Sequence, residues 1–432
     1  MIYTEEETST ICALATAPGG ALGIIRISGQ RTLEILSQLF SKNLIDAKAK
    51  TIHYGHILDG DEEIDEVLVS VFRAPHSYTG EDSAEISCHG SHYILDTTLN
   101  LLLQKGCKLA EPGEFTKRAY LNGKMDLSQA EAVADLIAST NHATHHLAMS
   151  QLKGHFSSEL STLREKMLKL TSLMELELDF SDHEDLEFAD RTELLQLTQQ
   201  IKEHIHHLAE TFHTGNALKN GIPVAIIGAP NVGKSTLLNT LLGEERAIVS
   251  DIQGTTRDAI EDTINLDGIT FRFIDTAGIR HTSDTIEQLG IERSVAAARR
   301  ASIILLMTEP GVPFPELDVR EDQTVIRIEN KTDAFQAKYG VGITELKKKI
   351  IAAAPSFSES DIIITNVRHY DALQRAYNSI ECVMEGLNNS LSGDLLSEDL
   401  HQTIDILSEI TGSRITPQET LNNIFHHFCV GK

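Results

Sequence analysis

Three regimes of hydrophobic spacing follow one another along the chain. Over residues 1–122 short apolar runs are broken by turns. Ile24, Ile25 and Ile27 follow a glycine-rich turn at Pro18, Gly19 and Gly20 and read as a strand. Residues 67–72 read as another strand, and 93–103 as a helix. At Asp126 the spacing changes. Asp126 with Gln129 three residues on is a helix-opening pair, and apolar residues then recur at Val133, Ile137, Leu147 and Leu152. Helical patterning, interrupted near 179–185, continues to about Thr214. From Ile222 the order becomes strand, glycine loop, helix, strand, and beyond about 365 long amphipathic helices return. The pattern predicts a multidomain α/β plus all-α protein. An N-terminal α/β domain spans 1–122, and a discontinuous helical domain spans 123–218 and 359–432, with an α/β module inserted at 219–358. Such insertions are tolerated because domain termini often lie close together at the surface.

Composition narrows the function classes. Hydrophobic residues at 41% and charged residues at 23% exclude a disordered chain. Lys plus Arg number 37 against 63 Asp plus Glu, a net charge of −26, which disfavours non-specific binding to nucleic acid or anionic membranes. Cys12, Cys88, Cys107, Cys382 and Cys429 are odd in number and scattered, arguing against a disulfide framework or a zinc site and fitting a reducing compartment. The acidic, polar first ten residues are unlike a signal peptide, and no apolar run approaches the ~18 residues of a membrane span. A cytoplasmic protein without a membrane segment is expected. The histidines at 204, 206, 207 and 213 read as a solvated helix face.

The inserted module carries the chemistry. Apolar residues 223–227 precede Gly228, Asn231, Val232, Gly233, Lys234, Ser235 and Thr236 in a GxxxxGK[ST] arrangement between strand and helix. Glycines there let backbone N–H groups close on phosphates, Lys234 reaches the β- and γ-phosphates, and Ser235 sits on Mg²⁺. Gly254, Thr255, Thr256, Arg257 and Asp258 follow, supplying a hydroxyl for Mg²⁺ beside the γ-phosphate. Asp267 and Gly268 signal a hairpin turn between strands at 260–266 and 269–274. Asp275, Thr276, Ala277 and Gly278 come next, for the Mg²⁺ shell and a γ-phosphate contact. Asn330, Lys331, Thr332 and Asp333 complete the set; the Asp333 carboxylate can accept N1–H and N2–H of guanine but meets a lone pair of adenine. Four motifs in this order predict a GTP-binding domain. Ile279 stands where many small GTPases carry a water-orienting glutamine, which leaves Arg280, Asp284 and Glu287 as polar candidates for that task.

Beyond these motifs the chain resembles the MnmE/TrmE family of tRNA-modification GTPases. The resemblance rests on residues 16–29, Ser77–Asp82 in the pattern SYTGED, 111–119, 121–132, Glu409 to Gly412 and the ending FCVGK at 428–432. It covers the chain essentially end to end. It implies formation of a 5-carboxymethylaminomethyl-type group on the wobble uridine (position 34) of certain tRNAs. It also implies an FAD- and NADH-dependent flavoprotein partner in a heterotetramer, a one-carbon tetrahydrofolate such as 5-formyltetrahydrofolate, and a homodimer through the N-terminal domains. K⁺ joins GTP in bringing the GTPase domains together before hydrolysis. By resemblance Asn231 ligates K⁺, and the loop of Ser250, Asp251, Ile252, Gln253, Gly254 and Thr255 closes over that ion, with Ser250, Ile252 and Thr255 in its shell. A plain turn former is the lesser reading of Asn231. Thr256 matches the Mg²⁺-binding threonine, and Glu287 the water-positioning catalytic glutamate. Arg26, Glu85, Lys124 and Lys432 match folate contacts, and Cys429 matches a C-terminal cysteine that is either reactive or a buried thiol at a helix end. Two departures stand out: the stretch from Ile303 to Gly342 is a couple of dozen residues short of the family pattern, with a strand and helix missing after Asp333, and the charge of −26 suits tRNA poorly. A regulatory or ribosome-assembly GTPase acting as a binding switch is the alternative.

Overall fold

The computed structural model describes residues 9–179, 191–244, 262–274, 296–355, 358, 361–389, 391–413, 418–426 and 428–431. The chain divides into two compact units. The first comprises residues 1–138, 151–165 and 404–432, and the second comprises 139–150 and 166–403.

The first unit is built on a six-stranded sheet. Its strands are β1 (Ile11–Leu14), β2 (Leu22–Ser28), β3 (Thr51–Asp59), β4 (Glu62–Phe72), β5 (Ser83–His89) and β6 (Lys108–Leu109). The spatial order is β3-β4-β5-β2-β1-β6, antiparallel throughout except for the β1–β6 pair. Alternation fixes the buried face: Ile25, Ile27, Val67, Val69, Val71, Ala84 and Ile86 point inward under the helices Thr32–Ser37 and His92–Gln104. The expected strands at 24–27 and 67–72 are thus parts of longer strands, and the expected helix at 93–103 is one residue longer at each end. The β3–β4 register slips by one residue between Ile57 and Leu58: Ile57 faces Asp65 and Leu58 faces Glu63, so Ile64 is a bulge. Cys12, Cys88 and Cys107 are buried.

Helices Glu114–Leu121, Leu127–Ala138 and Gln418–His426 complete this unit around Leu127, Ala130, Val133, Leu421, Phe425 and Phe428. The opening at Asp126 is a reciprocal cap. The Gln129 N–H donates to Asp126 Oδ1 at 2.9 Å, and the Asp126 N–H donates to Gln129 Oε1 at 3.0 Å.

In the second unit the sheet holds β7 (Ile222–Gly228), β8 (Asp262–Leu266), β9 (Ile269–Phe273), β10 (Ile303–Thr308) and β11 (Thr324–Glu329) in the order β11-β10-β7-β9-β8. All pairs are parallel except β8–β9. The unbroken apolar runs of β7 and β10 have a physical reason: both faces are covered. Val224, Ile226, Ile303 and Leu305 pack on one core, and Ala225, Ile227, Ile304 and Leu306 on the other. Asp267 and Gly268, at φ 52° and 77°, form the turn expected between β8 and β9. Asn141 and Ala143 bond to Thr270 and Gly268 beside that turn. Helix Arg191–Asn220 packs on helix Val367–Asn388 through a Phe212–Tyr370 stack and a Lys202–Glu381 ion pair at 2.8 Å, and it runs past the expected end near Thr214, where Leu218 is buried in the core of the sheet. His206 and His213 lie edge-on to Tyr377 and Tyr370, so that face is packed against aromatic rings as well as solvated. No helix among the described residues is long and apolar enough to cross a membrane.

Loss of the Asp126 cap is measurable. Asp126→Ala should cost about 1 kcal/mol locally, seen as a roughly fivefold loss of hydrogen-exchange protection at the start of helix Leu127–Ala138. Unchanged protection there would mean that tertiary packing, and not the cap, sets the local stability.

Candidate functional site

The glycine loop sits where sequence spacing places it, between the end of β7 and helix Lys234–Glu244. Asn231 is exposed in the loop with φ at 63°, a left-handed conformation that Asn tolerates, and Gly233 has φ at 101°. A Cβ on Gly233 would stand 2.4 Å from the amide nitrogen of Asn330, so only glycine fits. The Lys234 ammonium donates to the carbonyls of Gly228 and Ala229, each at 2.8 Å, and its burial holds its pKa below the usual lysine value. Val232 is buried, while Ser235 and Thr236 occupy the first turn of the helix, whose N-terminal end favours anions.

Asn330 reaches the loop from the end of β11. It is only 4% exposed. Its side-chain amide donates to the Val232 carbonyl at 2.8 Å, and its amide oxygen accepts from the Ala337 N–H at 3.1 Å. The Thr240 hydroxyl adds a bond to the Ala337 carbonyl at 2.9 Å. The phosphate-loop helix, the strand end and the segment around Ala337 are therefore one hydrogen-bonded piece. Lys331 has φ at 64° and pairs with Glu309, and Asp333 is exposed beside it. Lys338 is exposed, with its ammonium 5.4 Å from the Tyr339 ring. Between β11 and helix Ile343–Ala352 lies a single 3₁₀ turn at Ala337–Tyr339, consistent with the short connection expected there. Ser250, Asp251, Ile252, Gln253, Gly254, Thr255, Thr256, Asp275, Thr276, Ala277, Gly278, Arg280, Asp284, Glu287 and Lys432 lie outside the described residues.

A second constellation forms in the first unit. Arg26 and Glu85 are register partners on β2 and β5, and Glu85 Oε1 accepts from Arg26 Nε at 3.0 Å and Nη2 at 2.8 Å. Arg26 Nη1 donates to the Gly431 carbonyl at 3.0 Å, and the guanidinium lies 5.7 Å from both the Tyr78 and Phe115 ring centres. Burial raises the Tyr78 phenol above its usual pKa against the opposing pull of Thr116 and Arg26. Lys124 donates to the Pro75 carbonyl at 2.9 Å, on the segment that carries Tyr78. Sequence reasoning named Arg26, Glu85 and Lys124 but missed Tyr78 and Phe115, although both fall inside the signature runs at 77–82 and 111–119. It also missed the buried Arg118, which pairs with Glu81 at 3.2 Å and Glu114 at 2.8 Å and so holds those two runs together. Cys429 is exposed and follows helix Gln418–His426, which overturns the buried-thiol alternative; its carbonyl accepts from Gly113 N–H at 3.3 Å.

Comparison with known proteins gives a consistent result. Residues 10–124 match the family described as GTP-binding protein TrmE N-terminus, and residues 127–429 match the MnmE helical domain. A Bacteroides fragilis protein named tRNA modification GTPase MnmE is 52% identical over 463 residues, covering 98% of this chain and 99% of its own. Proteins of the same name from Phocaeicola vulgatus (53% over 493 residues; 98% and 99%) and Porphyromonas gingivalis (49% over 466; 98% and 98%) are similar to it as well. These aligned spans exceed the 432 residues of this chain, so the relatives carry residues that it lacks.

Asn330→Ala leaves the buried Val232 carbonyl and Ala337 N–H without this partner, at about 1–3 kcal/mol each. The expected outcome is guanine-nucleotide affinity weakened by roughly tenfold or more in a fluorescent-GDP titration. Wild-type affinity would show that the bridge is not needed to hold the loop.

Proposed function

The chain belongs to the MnmE family of tRNA modification GTPases, and from that premise we propose that it is a K⁺-stimulated GTPase serving the modification of the wobble uridine of certain tRNAs. It is a GTP-hydrolysing enzyme. The observation that carries the reading is the loop of Gly228 to Ser235 braced by Asn330, with Asp333 exposed beside it, because phosphate and base recognition are thereby offered by one rigid piece.

In this reading GTP lays its phosphates on the loop N–H groups and on Lys234, and Asp333 accepts the guanine N–H edge. Ser235 and Thr256 hold Mg²⁺. Asn231 and the carbonyls of Ser250, Ile252 and Thr255 offer neutral oxygens, a donor set suited to a monovalent ion. K⁺ bound there would supply the positive charge that an arginine supplies in other GTPases. Glu287 positions the attacking water, a task that Ile279 cannot perform. Arg26, Glu85 and Lys124, with the rings of Tyr78 and Phe115, offer a cation, a carboxylate and flat apolar surfaces, which suit a pterin bearing an anionic tail. Lys432 joins them from the chain end. The output is the 5-carboxymethylaminomethyl-type group at position 34, made in the cytoplasm by a homodimer with an FAD- and NADH-dependent flavoprotein. A net charge of −26 suits phosphate poorly, so contact with tRNA rests on that partner.

Replacing Na⁺ by K⁺ at constant ionic strength should raise GTP turnover, and Asn231→Ala should erase the difference; equal rates in both salts reject the cation role. Glu287→Ala should keep GTP affinity and lose most turnover, whereas weaker binding with intact turnover contradicts the water-positioning role. Mass spectrometry of wobble uridines decides the output. Cells lacking this protein should accumulate unmodified nucleoside, and unchanged tRNA would favour a binding switch with no part in modification.

A further inference from the structure

On the outer edge of the N-terminal sheet, the β3–β4 hairpin gathers three side chains of types that ligate metals. In a regular strand, residues three apart point to opposite faces. Glu63 and Glu66 do not, because the bulge at Ile64 resets the alternation between them. His56 lies directly across from Glu66, and Leu58, two residues on and on the same face as His56, lies across from Glu63. The bulge thus brings both carboxylates to one imidazole. The His56 Nδ1 is 2.8 Å from Glu63 Oε1, and one ligand atom from each of His56, Glu63 and Glu66 lies within 4.8 Å of the others. Closing on an ion at the usual zinc bond lengths needs ligand atoms about 3.3 Å apart, which small side-chain rotations supply.

The surroundings support the ligands. Tyr54 lies two residues before His56 on the same strand face, with its ring edge-on to the imidazole at 5.9 Å. That ring limits the orientations open to the histidine. The half-exposed position leaves the remaining coordination positions to water. One imidazole and two carboxylates favour a first-row divalent ion of the zinc type over Mg²⁺ or Ca²⁺, which take oxygen ligands.

We propose that His56, Glu63 and Glu66 form a surface site for a zinc-type divalent cation on the N-terminal hairpin, separate from the Mg²⁺ of the nucleotide site.

Co²⁺ is the probe, because its visible d–d absorption reports coordination. The full chain, stripped by a chelator and held nucleotide-free in excess Mg²⁺, should take up a Co²⁺ equivalent in the micromolar range, displaceable by Zn²⁺. His56→Ala should lose that equivalent. Glu63→Gln and Glu66→Gln should each weaken it by about tenfold or more, and His206→Ala should leave it intact. His56→Cys should retain the ion and add a near-ultraviolet thiolate-to-cobalt band, which a purely structural role for His56 would not produce. The proposal is overturned if wild type takes up no Co²⁺ in that range. It is equally overturned if His56→Ala, or both glutamine variants, bind it as wild type does.

Discussion

One guanidinium joins the two ends of the chain. Arg26 lies on the second strand of the N-terminal sheet, and its Nη1 holds the carbonyl of Gly431, the penultimate residue. Its other nitrogens are fixed by Glu85 across the sheet, and its faces by Tyr78 and Phe115. The Gly113–Cys429 backbone bond and the Lys117–Asn422 contact act in the same direction. With the ends tied, everything between residues 139 and 403 that forms the second unit is an excursion that leaves and returns to the first. This tie is also where four separated sequence signatures converge, through Arg26, Tyr78, Phe115 and Gly431. A half-buried cation would be costly if unpaired; here every guanidinium nitrogen has an acceptor, so the residues that close the chain also present an ordered polar surface.

The nucleotide-binding module follows a different economy. Its loop has few side chains of its own to hold it, so its shape is set by backbone and by one buried amide. An amide suits Asn330 because it donates to Val232 and accepts from Ala337 at the same time, whereas an aspartate would offer the buried Val232 carbonyl no donor. The left-handed Asn231 and Gly233 let the loop turn tightly enough to meet that amide. Strand, loop and helix are legible in the sequence for this reason, since local geometry and local chemistry coincide there.

Legibility falls with sequence separation. The cap at Asp126, the Asp267–Gly268 turn and the doubly covered strands β7 and β10 all use short-range rules, and the chain spells them out. The Arg26–Glu85 pair depends on a strand register between residues far apart, which periodicity does not fix. Tyr78, Phe115 and Arg118 matter through what they touch, so a single sequence shows them only as members of a run. The hairpin bulge did leave a trace. Inward positions Val67, Val69 and Val71 keep a spacing of two, yet the next apolar residue back is Ile64, three positions away, and that break in period is the bulge. The overlong helix Arg191–Asn220 went unread past Thr214 because its last turns are held by tertiary packing more than by their own pattern.

The short connection after Asp333 has a mechanical consequence. The sheet ends at β11, whose Ile326 and Ile328 are buried between exposed Thr324, Arg327 and Glu329, the alternation of an edge strand. From there the chain turns at once: Phe335 N–H bonds back to Thr332 and Thr332 N–H to Phe335, and the Gln336–Val341 bridge closes the next turn. With no further strand and helix in between, this turn is anchored directly to Asn330 and, through Ala337, to Thr240 on the helix after the glycine loop. In the proposed reading, a shift of Asp333 toward a guanine is carried along that hydrogen-bonded chain to Val232. Base and phosphate recognition are separate chemistries, and in that reading they share one hydrogen-bonded lever.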